Sequence, residues 1–184
     1  MAETILWRRL DLPGHEVARL ARRDDGWELG GTAVFAHDGR PCELRYVVAC
    51  GPGWRTRSAR VRGTVGGEAV DLAIEVGDDG RWRLNGEQRP AVAGCDDVDL
   101  GFSPSTNLLP IRRLGLAVGE EAEVTAAWLP FPALDLEPLA QTYRREDERT
   151  WRYASSGGSF VRTLTVRPSG LVTLYPGLWQ EEDG

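Results

Sequence analysis

The chain has 184 residues, 41% of them hydrophobic, with 28 acidic against 22 basic side chains and a formal net charge of -6. That length suits one domain burying roughly 70% of its extended-chain surface, and the apolar share excludes a wholly disordered chain. The acidic balance argues against a nucleic-acid partner, whose phosphates favour a basic surface, and no apolar run approaches the roughly 20 residues of a transmembrane helix.

The opening residues MAETILWRRL have neither the length nor the composition of a signal peptide. TILWRRL and HEVARLARR read as the first strands, followed by the turn DDG at 24–26, the strand GWELGGTAVF and the turn HDG at 37–39. CELRYVVAC and WRTRSARVRGTV come next and end at VGG, 65–67. In AVDLAIEV, Val70, Leu72, Ile74 and Val76 share one face, with Asp71, Ala73 and Glu75 on the other, which is strand periodicity. GRWRLNG follows a second DDG at 78–80. Beyond residue 120, EAEVTAAWLPF, RTWRYA, SFVRTLTV and GLVTLYP are further strands, divided by SSGG at 155–158 and PSG at 168–170. In SFVRTLTV, Phe160, Leu164 and Val166 share a face that Arg162 interrupts. LEPLAQTYRRE is ambiguous, because Leu136, Leu139, Ala140 and Tyr143 could line a helix that Pro138 and Thr142 weaken.

Roughly ten to twelve strands with frequent turns predict a mainly β fold, one many-stranded antiparallel barrel or half-barrel with little helix, spanning residues 1–184 as a single domain. Such a sheet must curl to protect its edges, and curling leaves a concave face. Seven tryptophans, at 7, 27, 54, 82, 128, 151 and 179, are available to fill that face or to line a cleft in it. Cys42, Cys50 and Cys95 are odd in number and widely spaced, so they read as small hydrophobes in a reducing, cytoplasmic setting.

The stretch CDDVDLGFSPSTNLLPIRRL, Cys95–Leu114, stands apart. Pro104 and Pro110 disfavour the helical region at Ser103 and Leu109, which predicts a fixed lead into a strand beginning near Leu109. Asp96, Asp97, Asp99 and Asn107 are suited to capping the exposed amides of such a bend, with Ser103, Ser105 and Thr106 as weaker partners. Arg112 and Arg113 fall on opposite faces of a strand, so one of them would turn inward to an aspartate of the same motif. A calcium-loop reading starting at Asp97 fails, since Phe102 stands where the loop needs Gly and Leu108 where it needs Glu. No nucleophile, phosphate-loop, dinucleotide or zinc motif occurs, and His15 and His37 read as surface or strand-end residues. The expectation is therefore no catalytic residue, no metal and no cofactor. A carboxylate pair for glycoside hydrolysis, one of Asp96, Asp97 or Asp99 with Glu75 or Glu137, is the enzymatic alternative.

WRTR at 54–57, GRWRLNG at 80–86, GCDDVDLGFSPSTNLLPIRRL at 94–114, QTYRR at 141–145, WRYAS at 151–155 and SGLVTLYPGLW at 169–179 occur in an order that resembles the bacterial "Putative glycolipid-binding" family, formerly a domain of unknown function. The resemblance covers nearly the whole chain, although Leu108 stands where the family pattern often has Thr. It implies a barrel or half-barrel similar to bacterial lipoprotein carriers, with a glycolipid or other amphipathic small molecule as ligand, and it carries no catalytic set. On physical grounds Trp54, Arg55, Arg57, Trp82, Arg112 and Tyr143 are the expected ligand contacts, aromatics for an acyl chain or sugar face and arginines for phosphate or carboxylate. The alternative makes these residues a packing layer in a structural or protein-interaction module with a filled interior; no particular protein partner is indicated.

Overall fold

In the computed structural model, which describes residues 2–182, the chain starts in the middle of its sheet and builds outward. Strands β1 (Ala2–Arg9), β2 (Gly14–Arg23), β3 (Gly26–His37), β4 (Arg40–Cys50), β5 (Thr56–Val65), β6 (Glu68–Val76), β7 (Trp82–Leu84) and β8 (Glu87–Gln88) meander to one edge as successive antiparallel pairs. The chain then crosses to the other edge, β9 (Val98–Leu100), and passes through helix α1 (Leu108–Leu114). It returns through β10 (Glu121–Leu129), β11 (Glu137–Arg145), β12 (Thr150–Ser155), β13 (Phe160–Val166), β14 (Val172–Tyr175) and β15 (Trp179–Glu181). β15 pairs with β1, Trp179 opposite Arg9, so fifteen strands among the described residues form one mainly antiparallel sheet. The exception is the parallel pair β9–β10. Met1, Asp183 and Gly184, the ends of the expected 1–184 domain, lie outside the described residues.

The crossing between the edges forces the sheet to curl. Laid flat, fourteen inter-strand gaps of about 4.8 Å would separate β8 from β9 by roughly 67 Å. The segment from Gln88 to Val98 reaches at most about 35 Å when fully extended. The edges therefore approach each other without pairing as strands, which makes a half-barrel with a seam.

The seam is closed by the first residues of the central motif. The Thr56 amide donates to the Asp96 carbonyl (2.9 Å), the Gly94 amide to the Gly80 carbonyl (3.1 Å), and the Trp82 indole to the Cys95 carbonyl (3.1 Å). The exposed edge of β9 is satisfied by side chains, the Val98 amide by Thr56 Oγ1 and the Leu100 amide by Thr106 Oγ1. An edge covered in this way offers no free ladder to another chain.

Residues 100–111 then run between the two halves of the sheet. Leu100, Phe102, Leu108 and Leu109 are fully buried. Phe102 packs edge-on against Tyr46 of β4, while Asn107 reaches Tyr143 of β11. This plug fills much of the concave face with the protein's own side chains.

The expected strand near Leu109 is a helix instead, preceded by a 3-10 turn over Ser105–Asn107. Pro110 falls in the first helical turn, where its missing N–H has no intrahelical partner to lose and its fixed φ already suits a helix. LEPLAQTYRRE resolves the other way, as strand β11, with Gln141 and Tyr143 facing inward at period two.

Candidate functional site

The plug leaves an aromatic-walled cleft in the concave face, with a volume of about 290 Å³. Its floor comes from the central motif, Asp99, Gly101, Ser103, Pro104 and Asn107. Its walls come from the returning strands, with Trp128, Tyr153, Phe160, Tyr175 and Trp179 the large side chains. Tyr153 is the centre of the aromatic wall, at 6.1 Å from both Phe160 and Tyr175, ring centre to ring centre, and 5.1 Å from Tyr143 behind it. Gly101 is dictated by this packing, because a Cβ there would lie 2.9 Å from the Trp128 indole nitrogen.

Asp99 is the one charged residue in the lining, half-buried and open to the cleft. The buried Gln141 fixes it, donating from Nε2 to Asp99 Oδ2 (2.6 Å) and to the Tyr153 hydroxyl (3.1 Å). Desolvation pushes the Asp99 carboxyl up to about 6, with Gln141 pulling it down and the nearby Asp97 pushing it further up. It is therefore mainly ionised at neutral pH. Asn107, also on the floor, donates from Nδ2 to the Tyr143 hydroxyl (2.9 Å).

Behind the floor lies a fully enclosed carboxyl, Glu16. Glu16 Oε1 accepts from the Tyr46 hydroxyl (2.5 Å) and the Ser103 hydroxyl (2.6 Å), while Glu16 Oε2 is buried without a partner. Gly31, opposite Tyr46 across β3 and β4, makes room for that phenol; a Cβ there would sit 2.4 Å from the Tyr46 oxygen. Burial pushes Glu16 up to about 8, against the downward pull of Ser103, Tyr46 and Arg9. The network ties the cleft floor to β2 and β4 on the far half of the sheet.

The family described as "Putative glycolipid-binding" matches residues 4–181. The chain belongs to this family. It is similar over 90% of its length to 91% of a DUF1089 family protein from Pseudomonas aeruginosa known from a crystal structure, at 34% identity and a TM-score of 0.79. Among curated proteins, none matches the chain.

The family-like stretches contribute unequally to the cleft. Asp99, Pro104 and Asn107 line it, and Tyr143 stands fully buried directly behind Asn107. Trp54, Arg55, Arg57, Trp82 and Arg112 are not brought to it. Trp54 stacks on Trp27 at 4.4 Å, and the exposed Arg112 lies over the Trp54 ring at 5.2 Å. Arg55 pairs with Asp96, and Arg57 with Asp25 (2.6 Å), both on the surface. Trp82 is buried at the seam, as described. Arg112 borders a separate groove with Arg145, Arg149 and Arg167. Of the two motif arginines it is Arg113 that turns inward, bonding Asp97 Oδ2 (2.5 Å) and meeting Asp96 (3.2 Å). Pro110 lies inside α1.

Glu75 and Glu137, the alternative carboxylates, are exposed and neither lines the cleft. Among the described residues no group of three His, Cys, Asp or Glu side chains clusters to hold a metal. Sequence reading had Trp128 and Trp179 only among seven tryptophans available to line a cleft, and it missed Tyr153, Phe160 and Tyr175, together with Gln141 and Glu16. The one available signal for Glu16 was parity, since it shares a strand face with Ala18 and Leu20, both buried.

Proposed function

We propose that this protein binds a glycolipid, or an amphipathic small molecule of the same kind, in the cleft without breaking or making bonds in it. The observation that carries the reading is the combination of an aromatic wall with a fixed polar floor in a concave sheet face: Tyr153, Phe160 and Trp179 beside Asp99 and Asn107. Small-molecule sites are commonly concave and apolar with a few set polar groups, and a volume near 290 Å³ is at the lower end of their range of about 300–1,000 Å³. That size suits a head group and the first carbons of a tail; a whole two-chain lipid would extend beyond it. The family description supports the glycolipid class.

Three free thiols, two of them buried, fit a reducing compartment such as the cytoplasm. Among the described residues, no helix is long and apolar enough to cross a membrane. Because Trp128 and Trp179 line the cleft, occupancy should change the intrinsic fluorescence. Titration with glycolipids, phospholipids and fatty acids, with native mass spectrometry of the purified chain, is expected to give a saturable change and a retained or exchangeable lipid. No saturable change across that panel, and no lipid retained, would sink the proposal.

A further inference from the structure

We infer that the head group recognised in the cleft is a neutral sugar, with its hydroxyls donating to Asp99 and its apolar face against the aromatic wall. This rests on the reading of the cleft as the binding site and specifies the ligand class that the site selects.

The distribution of charge decides between ligand classes. All 22 basic side chains of the protein are arginines, and they occur throughout the sequence. None lines the cleft, whose single charge is the Asp99 carboxylate. Two arginines stack on its wall residues without entering the lining. Arg162, over Phe160 at 4.4 Å, donates to the Pro176 and Val161 carbonyls. Arg9, over Trp179 at 5.1 Å, bonds both carboxylate oxygens of Asp11 through Nε and Nη2 and keeps a buried Nη1 without a partner. A phosphate, sulfate or carboxylate head would thus meet a like charge in a partly desolvated site with no cation in its lining, where charges interact far more strongly than in water.

Sugar hydroxyls have the complementary chemistry. They are donors, and a carboxylate is an acceptor on both oxygens. Gln141 occupies one side of Asp99 Oδ2 and orients the group. Pre-orientation of this kind lowers the ordering cost of binding. The C–H face of a pyranose ring is apolar and fits a wall of Tyr153, Phe160 and Trp179, while Asn107 adds a polar group on the same floor.

The test uses single-tailed probes of equal length, each below its micelle concentration: octyl glucoside, octyl phosphate and octanol, with methyl glucoside as the tail-free sugar. Tryptophan fluorescence of the full chain reports binding. Octyl glucoside is expected to bind at least tenfold more tightly than octyl phosphate and than octanol, and methyl glucoside more weakly than octyl glucoside. Asp99→Asn, which keeps the shape and removes the charge, should narrow the glucoside-to-phosphate ratio about tenfold or more. Octyl phosphate binding as tightly as octyl glucoside to the wild-type chain would overturn the inference without recourse to any variant. Equal binding of the three tailed probes would do the same while leaving amphipathic binding in place. Methyl glucoside matching octyl glucoside would keep the sugar and remove the lipid. Failure of every probe would remove both.

Discussion

Two carboxyls within one small region are held in opposite states. Asp99 opens to the cleft and, at about 6, is mostly ionised at neutral pH; Glu16 is enclosed and, at about 8, is mostly the neutral acid. The difference follows from surroundings, because Glu16 has no room for water at Oε2 and receives only two hydroxyls at Oε1. It has a consequence for stability. The unfolded chain releases this proton near 4.5 and the folded chain near 8, so between those values the native state binds one more proton. Stability from this group is full below about 4.5 and is lost as pH rises towards 8. From pH 6.5 to 8.5 the wild-type protein should lose about 2 kcal/mol through Glu16, at about 1.4 kcal/mol per pKa unit. The window starts above the midpoint of Asp99's own titration, near 6. Glu16→Gln keeps an acceptor for Tyr46 and Ser103 and cannot titrate, so its stability should change far less across the window. Urea unfolding at the two pH values checks this; parallel losses in both proteins would show that Glu16 is not the source.

Helix α1 is held by its buried Leu108, Leu109 and Ile111 and, at its C-terminal end, by a buried ion pair. Asp97 is 2% exposed and its Arg113 partner 14%. Burial pushes the Asp97 carboxyl up even though Arg113 pulls it down. At the half-buried Arg113, burial is instead outweighed by the pull of Asp97 and Asp96, and its pKa rises. With the two shifts opposed, the pair adds little net stability over an apolar substitute. Truncating one partner is different, because it strands the other charge. Arg113→Ala should cost about 3 kcal/mol in chemical unfolding, the low end for a buried pair. Arg112→Ala, exposed and resting on Trp54, should cost under about 1 kcal/mol. Equal losses would defeat the assignment of the inward arginine. The same helix marks a limit of sequence reading. Two prolines and a run of short polar residues look like an extended bend, yet Pro104 and Pro110 sit where a first turn tolerates them. Alternation was readable where the strand has one wet face, as in AVDLAIEV, now β6. In HEVARL the alternation also holds, but the residue types are inverted on it, with Val17 facing solvent and Glu16 the interior. The floor of the cleft was marked by the motif, but its walls were not. They belong to strands 20 to 80 residues further on, and only long-range register, such as Trp179 opposite Arg9, brings them there.

At the scale of the whole molecule, the sheet and its plug depend on each other. The crossing from β8 to β9 draws the edges together; the plug that follows it is bonded to β2 and β4 through Ser103, and to β11 through Asn107 and Asp99. Neither half of the sheet can bury its concave face without that segment, and the segment has no core of its own. The cleft shares this dependence, because its floor and walls come from different parts of the chain. The expected behaviour is one cooperative unfolding transition for residues 1–184, the signature of a single domain. Far-ultraviolet circular dichroism follows the strands, while tryptophan fluorescence reports on seven sites spread from Trp7 to Trp179. The two curves should coincide in denaturant, with one midpoint and one slope. A ligand held in the cleft should move both together, since it binds only the assembled state, by about 2.7 kcal/mol at a free concentration of 100 times Kd. Two resolved steps, or a ligand that shifts the fluorescence curve and leaves the dichroism curve in place, would show that the halves fold independently and that the plug is an accessory to one of them.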